Sequence, residues 1–186
     1  MNARTGYAIL IVAAAAVALP VGWYLLSPLF IDRRVQEELP VVTPDATAAM
    51  EAAMEEPDIV MEETMPASDP AEMRILAQGD FYNLAHEGHG RATIYRLADG
   101  SRVLRFEDFE VLNGPDLHVW LVPIDPVPDT VGVELPGYVD LGPLKGNIGD
   151  QNYELPAEVE LSELKSVVIW CVPFRVPFNA AALRAP

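Results

Sequence analysis

The chain has 186 residues, 51% of them hydrophobic, and a formal net charge of −16 at pH 7. This acidic balance disfavours nucleic acid as a partner, because binding to phosphates requires clustered lysine and arginine. The single cysteine excludes an internal disulfide and any metal centre that needs four cysteine ligands.

The first element in the chain is an almost uninterrupted apolar segment from Gly6 to Phe30. At about 1.5 Å per residue, a helix of this length crosses a hydrocarbon core of about 30 Å. Tyr7 and the pair Trp23-Tyr24 lie near its ends, where aromatic rings favour the interface between membrane and water. We therefore predict a short tail over residues 1–5 and a transmembrane anchor over residues 6–31, with the lipid membrane as its partner.

A cleavable signal peptide is the alternative, since Ala16-Val17-Ala18 has the small residues of a signal peptidase site. Cleavage there would leave the apolar stretch 21–26 exposed near the start of the mature chain, which favours an uncleaved anchor. Basic residues flank the segment on both sides, at Arg4 and at Arg33-Arg34, so charge does not orient it. A short tail, one anchor and a long domain predict a single-pass cell-membrane protein with its C-terminal domain outside the cytoplasm.

The next segment, residues 32–73, is acidic and rich in Pro, Ala, Met and Glu, and it has no lysine or arginine from Gln36 onward. Such a composition does not bury enough apolar surface to offset the entropy of ordering. We therefore predict a disordered linker here. The remaining residues, 74–186, have the length of a common single domain with one core.

This domain has the periodicity of strands and no long amphipathic helix. The turn residues 98–101 predict a hairpin. In Asp116–Val122 both alternating faces are largely apolar, so we expect a strand that is covered on both sides. The predicted strands are 93–97, 102–106, 116–122, 138–141, 151–155 and 167–174. Together they predict an all-β domain, a small antiparallel β-sandwich with a barrel as the alternative.

The candidate site centres on Cys171, in the strongest strand pattern of the chain. A lone thiol acts by itself, as a single thiolate ligand, or in a bond to another molecule. The alternative is that Cys171 has no chemical role and packs in the core as a small buried hydrophobic residue. His86 and His118 are candidate cofactor ligands with Cys171, because a haem or copper ion uses one thiolate with one or two imidazoles. If their strands are neighbours, His118 and Cys171 face the same space. Arg175 is placed to stabilise a thiolate if the strand continues past Pro173.

Several short blocks, in order and spacing, resemble the DM13 domain over nearly all of residues 75–184. The most specific are Asn113-Gly114-Pro115-Asp116-Leu117, Leu144-Lys145-Gly146-Asn147 and Trp170-Cys171. The resemblance implies an extracytoplasmic β-domain with a role in electron transfer and an unknown redox partner protein. It also implies that Cys171 is the redox centre, as a bare thiol or as the ligand of a prosthetic group such as haem.

No hydrolase, kinase, dinucleotide or zinc signature is present, so we expect an electron-transfer or binding module rather than an enzyme. The hypothesis from another class is a non-redox module at the cell surface that recognises a protein or glycan through its loops. Replacing Cys171 with serine separates the two. A binding module keeps its affinity for its ligand, whereas a redox module loses its function.

Overall fold

The computed structural model describes residues 3–40 and 73–186. A helix, α1 (Ala3–Leu26), is followed by a short 3₁₀ turn at Ser27–Leu29. The rest of the described chain is built from strands, with a second 3₁₀ turn at Leu161–Glu163. The strands are β1 (Arg74–Asn83), β2 (Gly88–Arg96), β3 (Arg102–Val111), β4 (Leu117–Val122), β5 (Val139–Pro143), β6 (Gln151–Leu155), β7 (Ser166–Cys171) and β8 (Val176–Ala182).

The eight strands form one antiparallel sheet that closes almost completely. Their order is β5-β4-β7-β8-β1-β2-β3-β6, and the two edge strands, β5 and β6, come into contact. β1 joins the two halves of the sheet, because its first part pairs with β2 and Phe81–Asn83 pair with β8. The prediction of an antiparallel all-β domain is confirmed, and the nearly closed sheet corresponds to the barrel alternative.

The hairpin and β6, which have strong local signals, lie where the sequence predicts them. In the predicted hairpin, the Leu97 N–H donates to the Ser101 carbonyl at 2.8 Å, and Gly100 adopts the positive φ of +84° that the turn requires. β6 begins and ends where it was predicted. β7, however, ends at Cys171 and not at Phe174, and the sequence did not predict β1 or β8.

Apolar side chains fill the barrel and also cover part of its outside. The interior cluster contains Phe81, Phe106 and Phe109, whose ring centroids lie 5.0 to 5.1 Å apart. A second cluster packs Trp120 and Trp170 against side chains from the connection between β4 and β5. β4 and β7 are therefore buried on both faces, as the alternation in β4 predicts.

α1 overlaps the predicted anchor over residues 6–26, but it begins earlier, at Ala3, and ends at Leu26 rather than at residue 31. In the described part of the chain, it is the one helix long and apolar enough to cross a membrane, although a signal sequence has the same properties. No part of Ile9–Leu26 is buried against other described residues. The helix therefore presents its apolar surface to its surroundings, which is compatible with a membrane helix and with a signal sequence.

Residues 31–40 follow the candidate membrane helix and are called the juxtamembrane segment for that reason; they run along the surface of the barrel. The Val35 N–H donates to the Ile148 carbonyl at 2.9 Å, and the Glu37 N–H donates to the Asp150 carbonyl at 2.9 Å. A Cβ atom at Gly149, where φ is +105°, would overlap the carbonyl oxygen of Val35. The loop before β6 therefore provides both the hydrogen bonds and the space that hold this segment.

Side chains strengthen the same contact. The Asn147 amide accepts the Arg33 N–H at 2.7 Å and donates to the Asp32 carboxylate at 3.0 Å. The Glu37 carboxylate accepts from Lys145 Nζ at 2.9 Å and from the Asn152 N–H at 2.8 Å. Burial alone would raise the pKa of Glu37, but these two donors outweigh it and hold the pKa below its usual value.

Because of this contact, the linker predicted over residues 32–73 is not free along its whole length. Its first part, residues 32–40, is bound to the domain and is not a free tether. Its main part, residues 41–72, lies outside the described residues, so the disordered linker there stays a prediction. The sequence did not show the contact because the partners are more than a hundred positions apart.

Candidate functional site

Cys171 lies at the end of β7 with its side chain in the interior of the barrel. It has no exposed surface, and it belongs to the interior apolar cluster. Its Sγ–H donates to the carbonyl oxygen of Pro115 at 3.3 Å. Burial raises the pKa of the thiol; the Phe174 N–H works against this shift, and the Asp116 carboxylate adds to it. The group is therefore a neutral thiol sealed from solvent.

The loop that seals the thiol connects β3 to β4 and is shaped by its own sequence. The Asn113 side chain accepts the Gly114 N–H at 2.9 Å and donates to the Ile31 carbonyl at 2.6 Å. Gly114 packs against Phe178, where a Cβ would come within 2.8 Å of the ring. Asp116 adopts a positive φ of +54°, which Asp and Asn tolerate better than most residues. The loop is thereby fixed with the Pro115 carbonyl over Cys171.

His118 lies next to Cys171 in the sheet but on its other face. β4 and β7 are neighbours, and their register pairs Leu117 with Cys171 and His118 with Trp170. Since side chains alternate between the faces of a strand, the imidazole and the thiol point in opposite directions. The His118 ring instead lies between two carboxylates. Its Nδ1 is 2.8 Å from Asp140 Oδ2 and its Nε2 is 3.3 Å from Asp116 Oδ1.

His86 follows β1 and packs against Phe178, with ring centroids 4.0 Å apart. Burial lowers its pKa, so the ring is neutral at pH 7. Phe178 also contacts Gly114, in the loop that covers Cys171. The phenyl ring thus lies between His86 and that loop, and the structure brings neither histidine to the thiol.

A haem ligated by Cys171 does not fit this arrangement. An axial ligand must present its donor atom to an open site, whereas Cys171 Sγ is enclosed and bonded to Pro115. Within residues 3–40 and 73–186, no three His, Cys, Asp or Glu side chains are arranged to hold a metal ion.

The expected charge partner of the thiol is also elsewhere. Because β7 ends at Cys171, Arg175 does not continue the strand but lies in the turn before β8, at a φ of +53°. Its guanidinium lies 3.7 Å from Glu134. Arg175 would lie beside the thiol only if the strand continued past Pro173, and β7 ends before that residue.

An aromatic stack that the sequence did not predict lies beside the thiol. Trp170, the residue before Cys171, stacks on Trp120 with centroids 4.5 Å apart, and Trp120 stacks on Tyr138 at 3.8 Å. The Tyr138 side chain is partly exposed, so the stack runs from the surface to the residue next to the thiol. The two tryptophans were visible in the sequence, but only the pairing of β4 with β7 brings them together.

The blocks that resemble a known family meet at one end of the barrel. The Leu144 N–H donates to the Leu117 carbonyl at 2.7 Å, and Pro115 covers Cys171. These features define a class of protein: a small, nearly closed β-barrel behind an apolar N-terminal helix, with one thiol sealed inside by a glycine- and proline-containing loop.

Comparison with known families identifies the domain. Residues 80–183 match the family described as Electron transfer DM13. This match covers more than half of the chain, so the protein belongs to the DM13 family. No curated protein and no solved structure matches it significantly.

Proposed function

We propose that this protein is an electron-transfer module whose redox centre is the Cys171 thiol. The observation that carries the proposal is the position of the only cysteine inside the DM13 region, beneath the Pro115 loop. A bare thiol is the form that these residues support, since the enclosed Sγ is unsuited to a haem. On this proposal the Pro115 loop must move aside to admit an oxidant, because its carbonyl covers Sγ.

The reaction of such a thiol with a peroxide balances without a cofactor. The Cys171 thiolate attacks one peroxide oxygen, the O–O bond breaks as the S–O bond forms, and the leaving oxygen takes a proton to become water or an alcohol. Cysteine becomes a sulfenic acid and gives up two electrons. A small-molecule thiol returns them through a mixed disulfide, which a second such thiol then reduces.

We expect the folded full-length protein in detergent to form a sulfenic acid at Cys171 on exposure to hydrogen peroxide, detected by mass spectrometry as a dimedone adduct. The reaction should be slower than in urea because the thiol is buried, and reversible by dithiothreitol if dimedone is omitted. Its rate should still rise at a pH where an exposed thiol is already ionised, since burial raises the pKa.

Cys171→Ser is the matched control, because serine keeps a hydrogen-bond donor for the Pro115 carbonyl and should give no adduct. An adduct that forms only in urea would mean that the cysteine is structural. It would leave the non-redox module that binds a protein or glycan as the better hypothesis.

We further propose that α1 remains as a single-pass anchor and that the barrel lies outside the cytoplasm. The unburied apolar surface of Ile9–Leu26 supports the anchor, and the extracytoplasmic location implied by the resemblance to the DM13 family supports the orientation. Protease added to intact cells should digest the barrel, while alkaline carbonate should leave the chain in the membrane fraction. A barrel protected until the cells are lysed would contradict the orientation, and release by carbonate would contradict the anchor.

A further inference from the structure

The juxtamembrane segment brings the barrel close to the end of α1. The helix ends at Leu26, and Ile31, five residues later, already binds the domain through its carbonyl, which accepts from Asn113. An extended chain spans at most about 3.6 Å per residue, so this connection reaches no more than about 18 Å. The further hydrogen bonds of Val35 and Glu37 keep the following residues on the barrel. The domain is therefore not suspended on a long tether.

One end of the barrel faces the anchor. A cavity lies between the two, lined by Tyr24 and Pro28 from the anchor side and by Pro115 and Pro143 from the barrel. Pro115 belongs to the loop between β3 and β4. The loop between β7 and β8 lies at the same end, since the Val172 N–H donates to the Asp116 carbonyl at 3.1 Å.

This end carries apolar side chains that the barrel does not cover. Leu112 is 45% exposed, Val172 37% and Phe174 51%. They belong to the two loops that face the anchor. Arg175 follows Phe174 with its side chain more than half exposed, and a long basic side chain next to apolar residues suits the boundary between acyl chains and headgroups.

From these observations we propose that the end of the barrel that holds Cys171 docks on the lipid bilayer, with Leu112, Val172 and Phe174 inserted into the leaflet beside α1. The barrel docks on the bilayer that holds its own helix α1, because the connection between helix and barrel is too short for the barrel to move away from that bilayer. Apolar side chains in such a position are buried about 5–10 Å into the boundary between headgroups and acyl chains. The inference rests on the membrane anchor of the proposed function.

A consequence concerns access to the thiol. The Pro115 loop lies at the docked end, so Cys171 is sealed from the side that faces the membrane. A redox partner that reaches it by this route comes from the lipid phase or from its surface. Tyr138 and the aromatic stack belong to the outer face of the sheet, not to the Pro115 loop.

The test uses the full-length chain in phosphatidylcholine vesicles. In a Cys171→Ser background, Phe174→Cys carries an environment-sensitive fluorophore, and Ser101→Cys carries it in the control. Ser101 precedes β3 and lies at the other end of this ten-residue strand, about 30 Å away. We expect a blue-shifted emission and strong quenching by lipids brominated near the glycerol backbone for the label at 174, and neither for the label at 101.

A second variant shows whether the apolar side chains hold the docked position. Adding Leu112→Ser and Val172→Ser to the 174-labelled protein should reduce the quenching by lipid. Because both side chains are exposed in the barrel, the two substitutions should change the unfolding midpoint little. Flotation of the same vesicles separates the possible failures. If the chain floats but the label at 174 is no more quenched than that at 101, the docking is overturned and the anchor stands. If the chain does not float, anchor and docking both fail, whereas the peroxide reaction of Cys171 is measured independently in detergent.

Discussion

Replacing Gly149 with alanine is expected to detach the juxtamembrane segment from the barrel. The new methyl group would overlap the carbonyl oxygen of Val35, which belongs to the segment. The positive φ of +105° adds backbone strain of about 1–2 kcal/mol for any residue with a Cβ atom. Hydrogen exchange should show the amides of Val35 and Glu37 losing protection by more than about tenfold, which corresponds to about 1.4 kcal/mol.

Gly142→Ala is the matched control for this experiment. Gly142 has a similar φ of +98°, but nothing lies near the position of its Cβ. It therefore carries the backbone strain without the overlap. Equal protection of the Val35 and Glu37 amides in the two variants would show that Gly149 does not hold the segment. If Gly149→Ala alone loses protection there, the contact is confirmed.

Removing the guanidinium of Arg105 should cost the most stability of any single charge in the barrel. The side chain is 8% exposed, and it lies 2.8 Å from Asp150 and 3.0 Å from Glu107. It also donates to the Glu37 carbonyl at 2.9 Å, so it joins the barrel to the juxtamembrane segment. Since Arg105→Ala removes the cation beside two partly buried carboxylates, we expect a loss of about 2–4 kcal/mol in the free energy of unfolding.

Arg91→Ala is the comparison on the neighbouring strand. Arg91 Nε lies 2.8 Å from the Asp80 carboxylate, but the two side chains are 54% and 71% exposed. Pairs that exposed contribute about 0–1 kcal/mol. Urea denaturation of both variants measures the difference. Equal losses would mean that burial does not set the strength of the Arg105 contacts, and the network would then have no special part in holding the segment.

Local signals in the sequence predicted the parts of the fold that depend on neighbouring residues. The hairpin at residues 98–101 has its turn residues next to two strands, and β6 has a short uninterrupted pattern. β1 and β8 were missed because Gly79 interrupts one strand and Pro177 with Ala180 and Ala181 weakens the strand pattern in the other. Both strands become stable through pairing with partners that are far away in the chain.

The sequence singles out Cys171 as a candidate residue, but it does not give the environment of the thiol. The single cysteine and its strand identified Cys171, and the family resemblance marked the Asn113–Leu117 loop. No local pattern indicates that Pro115 covers the thiol, because that contact spans 56 positions. The separation of His118 from Cys171 likewise depends on the register of β4 against β7, and the strand alternation of one segment does not give that register.

The position of β8 has a consequence for the synthesis of the protein. This strand, near the C-terminal end of the domain, lies between β7 and β1 and not at an edge of the sheet. Until residues 176–182 have left the ribosome, the end of β1 and one side of β7 have no neighbour, and Cys171 lacks the strand beside it. Ala182, the last residue of β8, follows Cys171 by 11 residues, so at about 5–20 residues per second this open form lasts about 0.5–2 s. The barrel therefore closes only after β8 has been translated, and until then Cys171 lacks one of the two strands that flank it.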